Sequence, residues 1–338
     1  MNKRIKMTIG AGIAAVALAI AGGGYYYFHV HTDTPDNAIK TIHEAIDGRD
    51  VKTFNRFVDV DSVLDSGYDG FVEGVTSSDN AMTPDAREAI RNFTQMLRAP
   101  MIMTLKSAVE SYIATGDLKA EENGGVVEIL EKTGLNDAHI RDVKNIEVND
   151  ADKNEAFADL IIYQPELDRE FPLQLILTRD GDKQWKLTRV KNFQEFVEQV
   201  TQARRVILDE YLAQAGEINA KHEAIVREAE QKYGSILAAG SLAQDKTRAE
   251  LKTLLNDIFK KDWEERKQEL FSLKVPKAAE PLHNLYMRIC DISISAAQDY
   301  AKWLDDNNAA TIKSAEDKIH QAQDLIQEAA DLAKRMTS

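Results

Sequence analysis

Residues Met7 to Val30 form a run of 24 residues without a formally charged side chain, and no other feature restricts this chain so strongly. A helix that crosses the hydrocarbon core of a bilayer needs about 20 predominantly apolar residues, so the run is long enough to span one. Lys3, Arg4 and Lys6 precede it, whereas Asp33 and Asp36 follow and no base appears before Lys40. This asymmetry keeps the N-terminus cytoplasmic and carries the rest of the chain across the membrane. Tyr25, Tyr26, Tyr27 and Phe28 end the run where amphipathic rings favour the headgroup level. The alternative is a cleaved signal peptide, for which Ala17-Leu18-Ala19 or Ala19-Ile20-Ala21 would supply the small-residue site. Both readings export the remainder, and both outrank a buried soluble helix, which does not need bases on one flank only.

A lipoprotein is excluded by the lack of a cysteine near this segment, since Cys290 is the only one in the chain. A single cysteine also rules out an intramolecular disulfide, so the exported part is stabilised by burial of apolar surface. Cys290 lies in a helical pattern and reads as a buried, inert thiol. The charge is uneven: residues 31–200 hold 33 acidic and 19 basic side chains, residues 201–338 hold 23 and 20. An acidic surface without Lys/Arg clusters disfavours nucleic acid and anionic headgroups as partners.

The first half begins as helix. Thr34-Pro35-Asp36 supplies a cap and an N1 proline, and Ala38, Ile39, Ile42, Ala45 and Ile46 recur at helical spacing up to Gly48. A short helix over Val51–Val58 leads into an acidic stretch at Asp59–Asp65. After a polar loop, a further helix starts at Thr83-Pro84 and runs to Gly116. The period then changes to two: Val143–Val148, Ala156–Tyr163, Phe171–Thr178 and Trp185–Val190 are rich in β-branched or aromatic residues and separated by short turns. Turns this short leave no room for crossover helices, so the expectation is an antiparallel meander packed on the preceding helices.

This order of helix, short helix and meander, closing on Gly181-Asp182-Lys183-Gln184-Trp185-Lys186-Leu187, resembles the cystatin-like α+β fold of the nuclear-transport-factor-two-like superfamily. The stretch from Pro35-Asp36-Asn37-Ala38-Ile39 through Phe57-Val58-Asp59-Val60-Asp61-Ser62-Val63 looks like the start of membrane-anchored bacterial envelope families within it. The resemblance covers roughly residues 34–200. It implies a curved sheet against helices; superfamily members include isomerases and dehydratases as well as non-catalytic binding modules, so no activity transfers with the fold.

Asp59, Asp61, Asp65 and Asp69 cluster as hard-cation ligands do, yet the Gly-containing calcium loop is missing, and a helix cap with solvated acids accounts for them. Asp150-Ala151-Asp152-Lys153-Asn154 begins like a calcium loop but has Glu155 where glycine is required and Ile161 where a bidentate glutamate is required; it reads as a hairpin turn. His29 and His31, with Asp33, sit two apart beside the membrane, where a helix would point the rings away from each other. Tyr163 or Tyr112 with an aspartate would suit isomerase chemistry only inside a dry cavity. Nucleophile-elbow, phosphate-loop and dinucleotide motifs are absent. No catalytic, cofactor-binding or metal-binding residue is assigned, and no cofactor is expected.

Beyond Asn192 the chain is helical throughout. Val197, Val200, Ile207, Tyr211, Ile218, Ile225 and Tyr233 mark one face up to Gly234, and Gln244–Leu273 continues with Leu251, Leu255, Ile258, Phe259, Trp263 and Leu270. A third helix carries Leu282, Tyr286, Ile289, Ala296 and Tyr300. The last repeats Ile312, Ala315, Ile319, Ala322, Ile326, Ala329, Ala333 and Met336 in threes and fours, a heptad seam whose alanines permit close approach. An intramolecular four-helix bundle is expected; the alternative is that part of this seam is exposed and recruits another envelope protein.

The expected architecture is therefore α+β: a transmembrane anchor over 1–30, a cystatin-like domain over 34–191 and a four-helix bundle-like domain over 192–338. The expected role is a membrane-anchored, extracytoplasmic, non-catalytic binding or assembly module. Its expected partners are the membrane and an envelope protein, with no nucleic acid and any small ligand unspecified. The alternative is an exported enzyme or ligand-binding protein with a pocket in 34–191.

Overall fold

The computed structural model describes residues 34–78, 83–116, 138–179, 181 and 184–337. The expected anchor over Met7–Val30, together with His29, His31 and Asp33, lies outside the described residues. Among those described, no helix is long and apolar enough to cross a membrane. The fold is α+β, and the chain divides between Arg204 and Arg205 into two compact units.

The first unit opens with α1 (Pro35–Asp47), where the Thr34 side chain accepts the Asn37 N–H and Pro35 occupies the first turn. Ala38, Ile39, Ile42, Ala45 and Ile46 are all buried, so the helical spacing in the sequence is the packed stripe. Helix α2 (Val51–Phe57) is capped by Asp50, which accepts the Thr53 N–H. Helix α3 (Val60–Ser78) then occupies much of the stretch that the sequence suggests to be a polar loop. Gly67, Gly70 and Gly74 depress its helical signal, but two of them serve packing. A Cβ on Gly74 would sit 2.9 Å from the Val197 Cβ, and one on Gly70 would sit 3.1 Å from the Gln194 nitrogen. Helix α4 (Pro84–Thr115) starts at the Thr83 cap and stops at Gly116, whose φ of 73° lies in the left-handed region that favours glycine.

Strands β1 (His139–Val148), β2 (Glu155–Gln164), β3 (Arg169–Arg179) and β4 (Trp185–Val190) form an antiparallel sheet in the order β1-β2-β3-β4. All four expected strands form, β1 beginning earlier than its hydrophobic pattern suggests. Alternation in β2 buries Ala156, Ala158, Leu160 and Ile162, and β3 adds Phe171, Leu173, Leu175 and Leu177 to the same core. Large side chains fill its centre: Trp185, Phe54, Phe171, Phe196, Ile42, Leu64, Leu105 and Ile113 are essentially without exposure.

Helix α5 (Phe193–Ala239) begins in this unit and continues into the second. Phe193, Phe196, Val197 and Val200 belong to the α+β core, which moves the unit boundary beyond the expected break at residues 191/192. The second unit contains the rest of α5, then α6 (Asp245–Leu254), a π-helical turn (Leu255–Lys260) and α7 (Lys261–Phe271) in one unbroken run. A 3₁₀ turn at Lys277–Ala279 leads to α8 (Glu280–Asp306) and α9 (Ala309–Thr337). Asn307, in the left-handed region with φ 49°, reverses the chain so that α8 and α9 pack along each other. The heptad seam of α9 is only partly used: Ala315, Ala322 and Ala329 are buried with Leu325, whereas Ile319 and Ile326 stay 37% and 47% exposed.

Candidate functional site

A recess lies in the helical unit, an open cleft of about 370 Å³ lined by α5, the π turn with α7, α8 and α9. Helix α5 contributes Val226, Glu230 and Tyr233, which share a face at spacings of four and three. Leu255 and Phe259 come from the π turn and Trp263 from the start of α7. A π turn adds a residue to the helical repeat and re-aims the side chains that follow it. Small side chains line it from α8, at Ser293, Ala296 and Ala297, and from α9, at Ala322, together with Tyr300 of α8. The seam residues Ile319 and Ile326 line the cleft from α9, which accounts for their partial exposure. Burial, and then the neighbouring Tyr300, push the Tyr233 hydroxyl up to about 12, so this phenol stays neutral at physiological pH.

Beside the cleft, behind Trp263, lies a buried polar cluster that sequence reading passed over. His222, with no exposed surface, meets Asp262 at 2.7 Å between Nδ1 and Oδ1. Asp262 Oδ2 lies 3.7 Å from the Arg266 guanidinium, which in turn stacks 4.0 Å from the centre of the Trp263 ring. Burial lowers the Arg266 pKa against the opposing pull of Asp262. The His222 Nε2 approaches Glu269 only to 3.5 Å and makes no hydrogen bond, as is also true of Asp262 Oδ2 and Arg266 Nε. A histidine oriented by an aspartate is the arrangement of a general base, but this one is sealed from solvent, and the cluster reads as a structural polar core. Cys290 is equally enclosed: burial pushes its thiol up to about 11, which keeps it protonated and unreactive. The signal in the sequence was Asp262 and Arg266, four apart on the same apolar face as Phe259 and Leu270.

The acids singled out from sequence are used otherwise than as metal ligands. Asp59 caps α3, accepting the Ser62 N–H at 3.1 Å and its hydroxyl at 2.8 Å. Asp61, Asp65, Asp69 and Glu73 follow one another at intervals on α3 and meet bases of α4 in antiparallel order. Asp61 pairs with Lys106 at 2.7 Å, Asp65 and Asp69 share Arg98, and Glu73 pairs with Arg91. The acids are thus not simply solvated; they form a ladder along α3 and α4. A recess of about 460 Å³ beside it is lined in part by Asp69, Glu73, Arg91 and Arg98 of this ladder. Among the described residues, no group of His, Cys, Asp or Glu is arranged to hold a metal ion. The Asp150–Asn154 segment is a turn, in which Asp152 accepts the Asn154 N–H. Tyr163 donates to Asp168 at 2.7 Å beneath the Arg141 guanidinium, at the β2–β3 hairpin. Tyr112 packs against the α+β core from α4, so these two tyrosines do not converge on a cavity.

No family model, curated protein or solved structure matches this chain.

Proposed function

We propose that this protein is a single-pass, membrane-anchored, extracytoplasmic binding module of the cell envelope. Its acidic α+β unit, of the cystatin-like type, follows the anchor; its helical unit, a four-helix bundle in kind, binds the ligand; neither unit performs catalysis. The observation that carries this reading is the open apolar cleft of the helical unit, whereas the α+β unit has a core whose centre is filled with large side chains. Cavities of this size, largely apolar with a few polar groups, are the usual form of small-ligand sites. The uncharged run behind Lys3, Arg4 and Lys6 supports the anchor, and helices packed on a four-stranded meander support the cystatin-like assignment.

The test has two arms. Alkaline extraction with protease treatment of intact spheroplasts should leave the chain in the membrane and digest it from outside. In parallel, the neutral fluorophore N-phenyl-1-naphthylamine should bind the purified chain and lose that binding in Ala297→Phe, with the helical content checked by circular dichroism. A chain released by alkali or protected from protease would refute the anchored topology. Fluorophore binding unaffected by the filled cleft would refute the site.

A further inference from the structure

We infer that the cleft of the helical unit takes a small hydrophobic cation, a compact apolar body ending in a quaternary or tertiary ammonium group. This rests on the reading of the cleft as a binding site and adds the chemistry of its ligand. Of the residues that line the cleft, Glu230 is the only one with a formal charge. It stands exposed at the mouth, and no described side chain pairs with it. The bases near it in sequence are engaged elsewhere: Arg227 with Glu223 at 3.0 Å and Lys232 with Glu228 at 2.9 Å.

Behind this carboxylate the walls carry four aromatic rings: Tyr233, Phe259, Trp263 and Tyr300. Ring faces attract cations through the quadrupole, and several rings around one carboxylate form a cage suited to a large, weakly hydrated ammonium. The Tyr233 phenol, held neutral by burial, adds no charge of its own beyond its dipole. Arg266 lies against Trp263, so one ring already serves a cation; that guanidinium is offset by Asp262 and buried. The ligand's head therefore belongs near Glu230 and Tyr233 and its apolar body over Ala296, Ala297 and Ala322. An anionic ligand would meet Glu230 with nothing to compensate it, and about 370 Å³ admits a small molecule rather than a diacyl lipid.

Three probes that share a phenylbutyl body and end in trimethylammonium, hydroxyl or carboxylate decide the matter. They are titrated by calorimetry against the full chain in lipid nanodiscs, with empty nanodiscs as the blank. The ammonium probe should bind about tenfold more tightly than the alcohol, and the carboxylate more weakly than both. Glu230→Gln should bring the ammonium probe to the affinity of the alcohol and leave the alcohol unchanged; Glu230→Lys should reverse the order of the charged probes. Glu230 is exposed, so neither change threatens folding. Equal binding of ammonium and alcohol, or an ammonium affinity untouched by Glu230→Gln, would overturn the cation assignment while leaving the cleft as a binding site. Failure of all three probes, or binding that survives Ala297→Phe, would overturn the cleft reading itself and the cation with it.

Discussion

Gly74 and Gly67 lie seven residues apart on α3, and replacing each by alanine should change stability in opposite directions. Either change removes the entropic cost of a helical glycine, worth about 1 kcal/mol. At Gly67 a new Cβ meets nothing within 4 Å, so Gly67→Ala should raise stability by somewhat under 1 kcal/mol. At Gly74 the Cβ would lie 2.9 Å from the Val197 Cβ and 3.0 Å from the Gln194 carbonyl oxygen. Carbon atoms prefer separations of about 3.5–4.0 Å, and one of the two obstacles is backbone, so α3 and α5 must move apart. Overpacking of this kind costs about 1–3 kcal/mol, which exceeds the propensity gain and leaves Gly74→Ala about 1 kcal/mol less stable than the parent. The two variants should then differ by about 2 kcal/mol, roughly 1 M in urea midpoint. Trp185 is the only tryptophan of the α+β unit. In a background carrying Trp263→Phe and Trp303→Phe, its fluorescence therefore follows that unit within the full chain. If Gly74→Ala unfolds at the same or a higher urea concentration than Gly67→Ala, the close approach of α3 and α5 is wrong.

Three further outcomes follow from the helical unit. Asp262→Ala strands buried His222 and Arg266 and should cost about 3–5 kcal/mol, whereas Asp291→Ala breaks only an exposed pair with Lys267 and should cost under about 1 kcal/mol; thermal melts followed by circular dichroism compare them. Lys318 and Ser314 donate to Asp299 and hold its carboxyl below the usual carboxylate range. The stability this confers is complete above the unfolded carboxylate pKa near 3.9 and is lost as pH falls through the lower folded value. Melting temperatures measured from pH 6 to pH 2 should therefore fall less in Asp299→Asn than in the parent, and parallel curves would contradict the assignment. The thiol of Cys290 should stay unmodified by a disulfide reagent at pH 8 until the protein is unfolded, because it is buried and held protonated; rapid modification of the native chain would contradict its burial.

The sequence by itself determined the α+β class, all four strands and most helix termini, because these rest on local rules. Period-two burial marks β2, Thr34-Pro35 and Thr83-Pro84 begin helices, and Gly116 ends one. It also sufficed to read Asp59 as a cap and Asp150–Asn154 as a turn, since both bonds close within three residues. Helix α3 was hidden because its glycines lower intrinsic propensity and recover it only through contact with Phe193, Gln194 and Val197, more than a hundred positions away. The α3–α4 ion-pair ladder was hidden for the same reason. In α9, the repeat of Ile and Ala looked like an uninterrupted seam, and no local rule distinguishes an isoleucine that packs from one that walls a cleft. That distinction was decided by the π turn at Leu255–Lys260, which re-aims the residues opposite α9, and by the small side chains of α8. The meeting of His222 with Asp262 likewise required two helices to bring distant polar groups together out of water. Local pattern thus settles which segments become helix or strand, whereas a cleft is the space left between segments and exists only once they have packed.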